Sequence, residues 1–254
     1  MKAGLLGWVC GFALVLGVLP AHARQLNLIN ESFAPYLRGG YQVSNLKKSS
    51  FAESSGTGNE FSGDLPFIAN YEFGFVWAIK EVSLRFGFEV IRPRAEKGIL
   101  ATNASGTELF TVDTDVSGYV PRLGVDINIK QWPSARIFLN ASYGMANVTV
   151  QNSYGFTAAG QAAYSLANFR EEVKGSAALQ EYALGWEYNA FDTTTIVLDA
   201  GYRYLKLDGL SHNVDVTNFQ GAVTKGSSAL NNTGGNRALD LSGYFASLHL
   251  RFWL

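Results

Sequence analysis

Six carboxylates and six guanidiniums carry most of the chemistry this chain could do. They are Glu72, Glu89, Asp126, Glu181, Glu187 and Asp199, set against Arg38, Arg85, Arg122, Arg136, Arg203 and Arg251. Each stands in a row of alternate residues whose opposite row is apolar, so a strand that buries the charges must turn its greasy face elsewhere. Charges taken out of water are tolerated only when paired. The set is neutral, six against six, which points to a salt-bridged plug; a set of one sign would point to a selective pore. A narrow polar conduit, or an ion pair that opens as a gate, is the alternative chemistry.

Catalysis has less to work with. Beyond His22 the histidines are His212, which follows Ser211, and His249, two residues after Ser247. A nucleophilic site needs serine, base and orienting acid brought together, and adjacency in sequence does not supply that. No Gly-x-Ser-x-Gly, His-Glu-x-x-His, phosphate loop or dinucleotide fingerprint stands in a usable context. Two scattered histidines, with no cysteine beyond Cys10, argue against a transition-metal centre, and no cofactor is expected.

The elements that carry the charges are strands. The last stretch shows this best: Tyr244, Ala246, Leu248, Leu250, Phe252 and Leu254 form an apolar row, and Phe245, Ser247, His249, Arg251 and Trp253 the opposite one. Seven other stretches alternate in the same way. Tyr36–Ser44 puts Leu37, Tyr41 and Val43 opposite Arg38 and Gln42, and Ile68–Ala78 puts Tyr71, Phe73, Phe75 and Trp77 opposite Glu72. Val82 begins a strand expected to run to about Ala101, after which Thr102–Thr107 turns the chain back. Leu109–Ile129 follows, and its apolar phase changes near Gly118 and Pro121, where a bulge would exchange the two faces. The remaining strands are centred on Ile137–Tyr143, Tyr182–Tyr188 and Ile196–Tyr204.

Short turns at Ile79–Glu81, Lys130–Ala135 and Asn189–Thr194 alternate with longer excursions at 45–64, 147–174 and 208–236. The second of these carries an Ala-rich part, Thr157–Phe169, that suits a short helix. Outward aromatics near the short turns (Trp77, Trp132, Trp186, Tyr188, Phe191, Trp253) and near the other strand ends (Tyr143, Tyr202, Tyr204) suit two interfacial girdles. Exposed to water they would form an aggregation patch. The fold expected is therefore all-β, an eight-stranded antiparallel transmembrane up-and-down barrel, with ten strands as the alternative if a long loop hides a hairpin.

The first 23 residues read as an export leader, with Lys2, an apolar run Leu5–Leu19 and a small-residue site Pro20-Ala-His-Ala23. A cut after Ala23 of the 254 residues leaves a single 231-residue barrel domain, 24–254, and removes Cys10. Without Lys2 the 20 basic side chains become 19, against 21 acidic ones, which gives no electrostatic case for nucleic acid.

On these strands and turns the chain resembles the small bacterial outer-membrane β-barrels, the group that includes the OmpA transmembrane domain, OmpX and OmpW. The resemblance is one of pattern and covers Tyr36–Leu254. Its sharpest local item is the closing strand, where Tyr244, Leu248, Leu250, Phe252 and Leu254 look like the signal read by the outer-membrane assembly machinery. The chain ends on Leu254, so either Leu254 or Phe252 fills the terminal slot. The resemblance implies periplasmic short turns, extracellular long loops, and contact with outer-membrane lipid and lipopolysaccharide. The inward set expected from the opposed rows is the twelve charges with His249. The expected role is structural or surface-interacting, with loops rich in Ser, Gly, Asn and Thr open to an extracellular ligand. A narrow channel for small, even apolar, solutes is the alternative, followed by a lipid-modifying enzyme.

Overall fold

The computed structural model describes residues 26–254, with 57, 66 and 94 excepted. The leader and its cleavage site lie outside the described residues. Eight antiparallel strands form a closed ring: β1 (Phe33–Ser44), β2 (Phe67–Ile79), β3 (Val82–Pro93), β4 (Glu108–Gln131), β5 (Ala135–Phe156), β6 (Phe169–Phe191), β7 (Thr194–Asp208) and β8 (Gly243–Phe252). β8 closes it against β1, with Leu37 opposite Leu250 and Arg38 opposite His249. From Tyr36 the row of paired residues runs through Gly74, Gly87, Arg122 and Gly144 to Leu179. The other way it runs through Arg251 and Thr195 to Asn189, ten residues from Leu179 on β6. That stagger tilts the staves about 40° and leaves an interior that side chains fill.

The outer wall exposes Leu37, Phe73, Phe86, Leu123, Leu139 and Leu248, a band only lipid can cover. Above it Tyr182, Tyr202 and Tyr244 stand abreast in register, with the Tyr202 and Tyr244 rings 5.1 Å apart. Below it Trp77, Trp132 and Trp186 are exposed near the short turns. Trp253 does not join this girdle. It is 1% exposed and packs inside the barrel beneath Arg136, because its odd position shares the inward row of β8.

The upper third departs from the expected pattern. β4 keeps one register with β5 from Phe110 to Asn128, so the bulge expected near Gly118 and Pro121 is absent; the shift lies between Asn128 and Lys130. The apolar phase changes because the surroundings change. Within the membrane Leu123 and Val125 face lipid, and higher up Val112, Val116 and Val120 of the opposite parity fill the interior. β5 does the same with Val148, Val150, Tyr154 and Phe156 inward, so the stretch expected to be a loop from Asn147 is strand as far as Phe156. Only 157–168 connects β5 to β6; there Thr157 caps a helix, α1 (Ala158–Tyr164), by accepting from the Gly160 N–H. The third stave ends at Pro93 and is continued along β4 by Glu96–Thr102, whose own pairing with β4 shifts register twice, between Glu96 and Ile99 and between Ala101 and Thr102.

Leu46 and Phe51 of the first loop, and Leu210, Ala229, Leu239 and Leu241 of the last, close over these inward residues and complete an apolar core above the membrane. At the other end Leu26 and Leu28, in a lead that composition marks only as polar, are buried with Tyr36, Val76 and Trp253. The lead is strapped across the mouth by Leu28 N–H donating to Pro133 O (3.0 Å) and by Asn189 Nδ2 donating to Leu26 O (2.9 Å).

Leu250 pairs with Leu37 and Ile196 on the lipid face, midway between the aromatic rows. Leu250→Lys should destabilise the barrel by about 2–4 kcal/mol, the range for a cation near the bilayer midplane, in urea titrations of folding into lipid vesicles. An unchanged midpoint would mean that this face does not meet lipid.

Candidate functional site

The twelve charged side chains and His249 all point into the barrel and are 5% exposed or less. They sort into two groups. In the upper one Glu181 receives Arg38 (2.9 Å), Arg122 (2.7 Å) and Arg203 (2.7 Å), side chains from three different staves. Glu89 meets Arg122 and Arg203 at 2.6 Å each, and Glu72 meets Arg38 at 3.0 Å and Arg122 at 3.2 Å. In the lower group Glu187 holds Arg136 (2.7 Å) and Arg251 (2.8 Å), and Arg251 continues to Asp126 (2.8 Å). Arg85 joins through Asn140 (3.1 Å), which itself donates to Asp126 (2.7 Å). Opposite charges at these distances, with further hydrogen bonds, are what a buried ionic layer requires.

Neutral groups complete the lattice. Tyr36 shares the inward parity of Arg38 and donates its hydroxyl to Glu72. Gly87 leaves the space for that pair: a Cβ there would lie 2.2 Å from Glu72 Oε1 and 2.5 Å from the Tyr36 hydroxyl. Gly185 makes room in the same way for the ring of Phe138, over which Arg136 and Arg251 stack. Trp253 Nε1–H donates to Thr195 (3.1 Å) and Glu187 (3.2 Å) and so ties the apolar floor to the charged layer.

Asp199, Ser247 and His249 are adjacent here. His249 Nε2 is 2.9 Å from Asp199 Oδ2 and 3.1 Å from Ser247 Oγ, while Ser247 donates to Asp199. A relay needs acid and nucleophile on opposite nitrogens of the imidazole. One nitrogen meets both, and all three residues are buried, so the trio acts as a pairing cluster. No group of three or more potential metal ligands occurs among the described residues.

The interior is thus stacked in three tiers: an apolar floor, a charged middle and an apolar roof. Lipid-facing apolar residues surround the charged tier, the reverse of a water-soluble sheet. The chain is an eight-stranded transmembrane β-barrel. No family model and no curated protein matches it. Solved structures similar to it include the attachment invasion locus protein Ail of Yersinia pestis, 13% identical over 87% of this chain and 99% of that one, TM-score 0.45. Neisserial surface protein A is 11% identical over 87% and 97%, TM-score 0.44. The outer membrane protease OmpT of Escherichia coli is 10% identical over 92% and 100%, TM-score 0.40. No role passes from them to this barrel at that similarity.

A second buried polar cluster, which the polar loop composition hides, lies above the membrane. Glu171 of β6 accepts from Arg237 (2.8 and 3.2 Å) and Asn218 (2.9 Å), both in the last loop, and the His212 Nδ1 is 3.8 Å away. His212, 1% exposed, pairs with Val173 and pins that loop to the wall. Burial holds its imidazole below the usual value, against the pull of Glu171 and with the help of Arg237. Glu53 faces Arg237 from the first loop, and Tyr154 faces it from β5. Among the outward residues of the closing strand, Tyr244, Leu248 and Leu254 are exposed, and Leu250 and Phe252 are half-buried.

Glu181→Ala removes the acceptor shared by three guanidiniums and should cost about 3–5 kcal/mol of folding stability in vesicles, as for breaking a buried pair; a loss under about 1 kcal/mol would show that the lattice closes without it. For His212 the sign follows from a folded value below the unfolded one. Its docking is complete above about pH 6.5 and is lost as pH falls. Hydrogen exchange of 209–242 should therefore quicken between about pH 7 and pH 5, and His212→Gln should flatten the response. An undiminished response in the variant would assign it to another group.

Proposed function

We propose that the barrel is a closed membrane anchor whose work is done by its extracellular loops, in a structural or surface-interaction role. The three-tier interior carries this reading. Floor, ion lattice and roof are made by side chains of the barrel, its amino-terminal lead and its own loops, and the lattice is neutral, so it offers no field to draw an ion of one sign. The exposed positions above the membrane are polar, among them Thr111, Asp113, Ser117 and Ser153. A rigid scaffold presenting such loops suits recognition better than transport.

The partners that fit are outer-leaflet lipid and lipopolysaccharide around the tyrosine girdle, the assembly machinery at the outward row of β8, and an extracellular ligand at the loops. Ser247 and Asp199 share one nitrogen of the buried His249, which is not the arrangement of a relay, so no enzymatic role is proposed.

Planar-bilayer recording of the refolded protein tests the closed reading. No steady conductance steps are expected. Steps that change with Glu72→Ala or Arg203→Ala would replace it with a narrow channel.

A further inference from the structure

The last loop carries a hairpin, Val216–Asn218 with Gly221–Val223, whose strands pair only with each other. A lone two-stranded hairpin is marginal in water, so its position depends on what docks it. Its tip holds Phe219, and five rings of the tall wall surround that side chain: Phe110 of β4 (5.6 Å between centroids), Tyr154 and Phe156 of β5 (5.3 and 5.8 Å), Tyr164 of α1 (5.2 Å) and Phe169 of β6 (5.5 Å). Tyr154, Tyr164 and Phe169 meet Phe219 nearly edge to face, at 77° to 88°, the arrangement aromatic quadrupoles favour.

The lining has no unspent polarity. The Tyr154 hydroxyl is engaged by Ser54 (2.6 Å) and the Phe51 carbonyl (3.1 Å), and the Tyr164 hydroxyl by Asn59 (2.9 Å). What remains is a box of ring faces and edges. It is not sealed, because Phe219, Tyr164 and Phe169 are each half-buried and reachable from outside. Besides Phe219 the tip is docked by two amides: Asn218 donates to Glu171 (2.9 Å), and Gln220 donates to the Ser54 carbonyl (3.2 Å).

We propose that this five-ring cage is a binding site for a small neutral planar aromatic molecule, with Phe219 as its built-in occupant. Guest and Phe219 exclude each other, so a bound guest frees the hairpin and changes the outer surface of the loop. The resident phenyl sets the class of guest, since it is neutral, flat and one ring wide. The site lies in the extracellular roof and does not depend on whether the lumen conducts.

The test uses the full chain in lipid nanodiscs with 5-fluoroindole as the probe, followed by fluorine NMR for binding and by amide exchange for the hairpin. In the unmodified protein the probe should quicken exchange at 216–223 and leave β8 unchanged. Phe219→Ala should bind the probe about tenfold more tightly or better, because no resident must be displaced. Asn218→Ala weakens docking without altering the cage and should raise affinity in the same direction, which covers a misfolded Phe219 variant. If Phe219→Ala binds but the hairpin of the unmodified protein is unmoved up to the probe's solubility, the cage is only core and the substitution has made a cavity. If neither variant binds more tightly than the unmodified protein, the proposal also fails.

Discussion

A charge held out of water must meet its opposite, and in this barrel the opposites come from staves far apart in sequence. Glu181 on β6 is met by Arg38 from β1, Arg122 from β4 and Arg203 from β7. That constraint sets more than local stability. Strand side chains alternate with a period of two, so sliding any stave by one residue would carry its charges from the lattice into lipid and its Leu or Phe into the lattice. The resulting loss, with cations in hydrocarbon and unpaired carboxylates inside, exceeds what any single hydrogen bond of the ladder contributes. The ion lattice therefore holds the register, and the register with its stagger of ten fixes the tilt and the narrow bore.

The bore in turn explains why small residues recur on the inward rows. Two long cations, a Phe and a Trp cannot share the lower lumen unless something opposite them is missing. Gly185 is that absence for Phe138, and Gly87 is the same for Tyr36 and Glu72. These two positions are the converse of the arginines, since each marks where a large neighbour from another stave has taken the volume. The same economy ties the tiers together, with Trp253 presenting its ring to the apolar floor and its N–H to Glu187.

How much of this was legible in the sequence follows from the same period of two. Within the membrane band the alternation is unambiguous, because lipid outside and charge inside make the two rows chemically opposite, as in Phe73 and Phe75 against Glu72. The closing strand and the inward charges could be read there without coordinates. Above the band the environments change places. Val116 and Val120 fill the interior where Asp126 did, and Ser117 faces water where Leu123 faced lipid. A reader following one apolar row sees the phase slip and infers a bulge at Gly118, or loses the strand at Asn147. The backbone continues without a shift and only the solvent on each side differs. Leu26 and Leu28 give no signal for another reason: two apolar residues in a polar lead carry no period, and their burial depends on a mouth assembled by distant turns. Glu171, Arg237 and Phe219 left no signal either, since their partners are joined only by the folded loop.

The difference in stave length decides where function can sit. β4, β5 and β6 are 24, 22 and 23 residues long, whereas β1, β2 and β8 are 12, 13 and 10. About ten residues are enough to cross a bilayer when tilted, so the long staves rise as a wall on one side and the short ones end near the membrane surface. A wall standing alone would expose Phe110, Val112, Val150 and Tyr154 to water. The loops that leave the short staves, 45–66 and 209–242, are the ones long enough to lie across that face, and Leu46, Phe51, Leu239 and Leu241 do so. Their cover is tied down by the ion pair of Glu171 with Arg237, by hydrogen bonds such as Asn218 to Glu171 and Asn152 to the Ser50 carbonyl, and by Phe219 among its rings. The lattice below is braced by eleven charge pairs that reach all eight staves. Motion is drawn from the part of a structure with the fewest cooperative contacts, which here is the cover and not the lumen. In a barrel built this way any response to the surroundings belongs to the roof, and the proposed seal to the ion lattice beneath it.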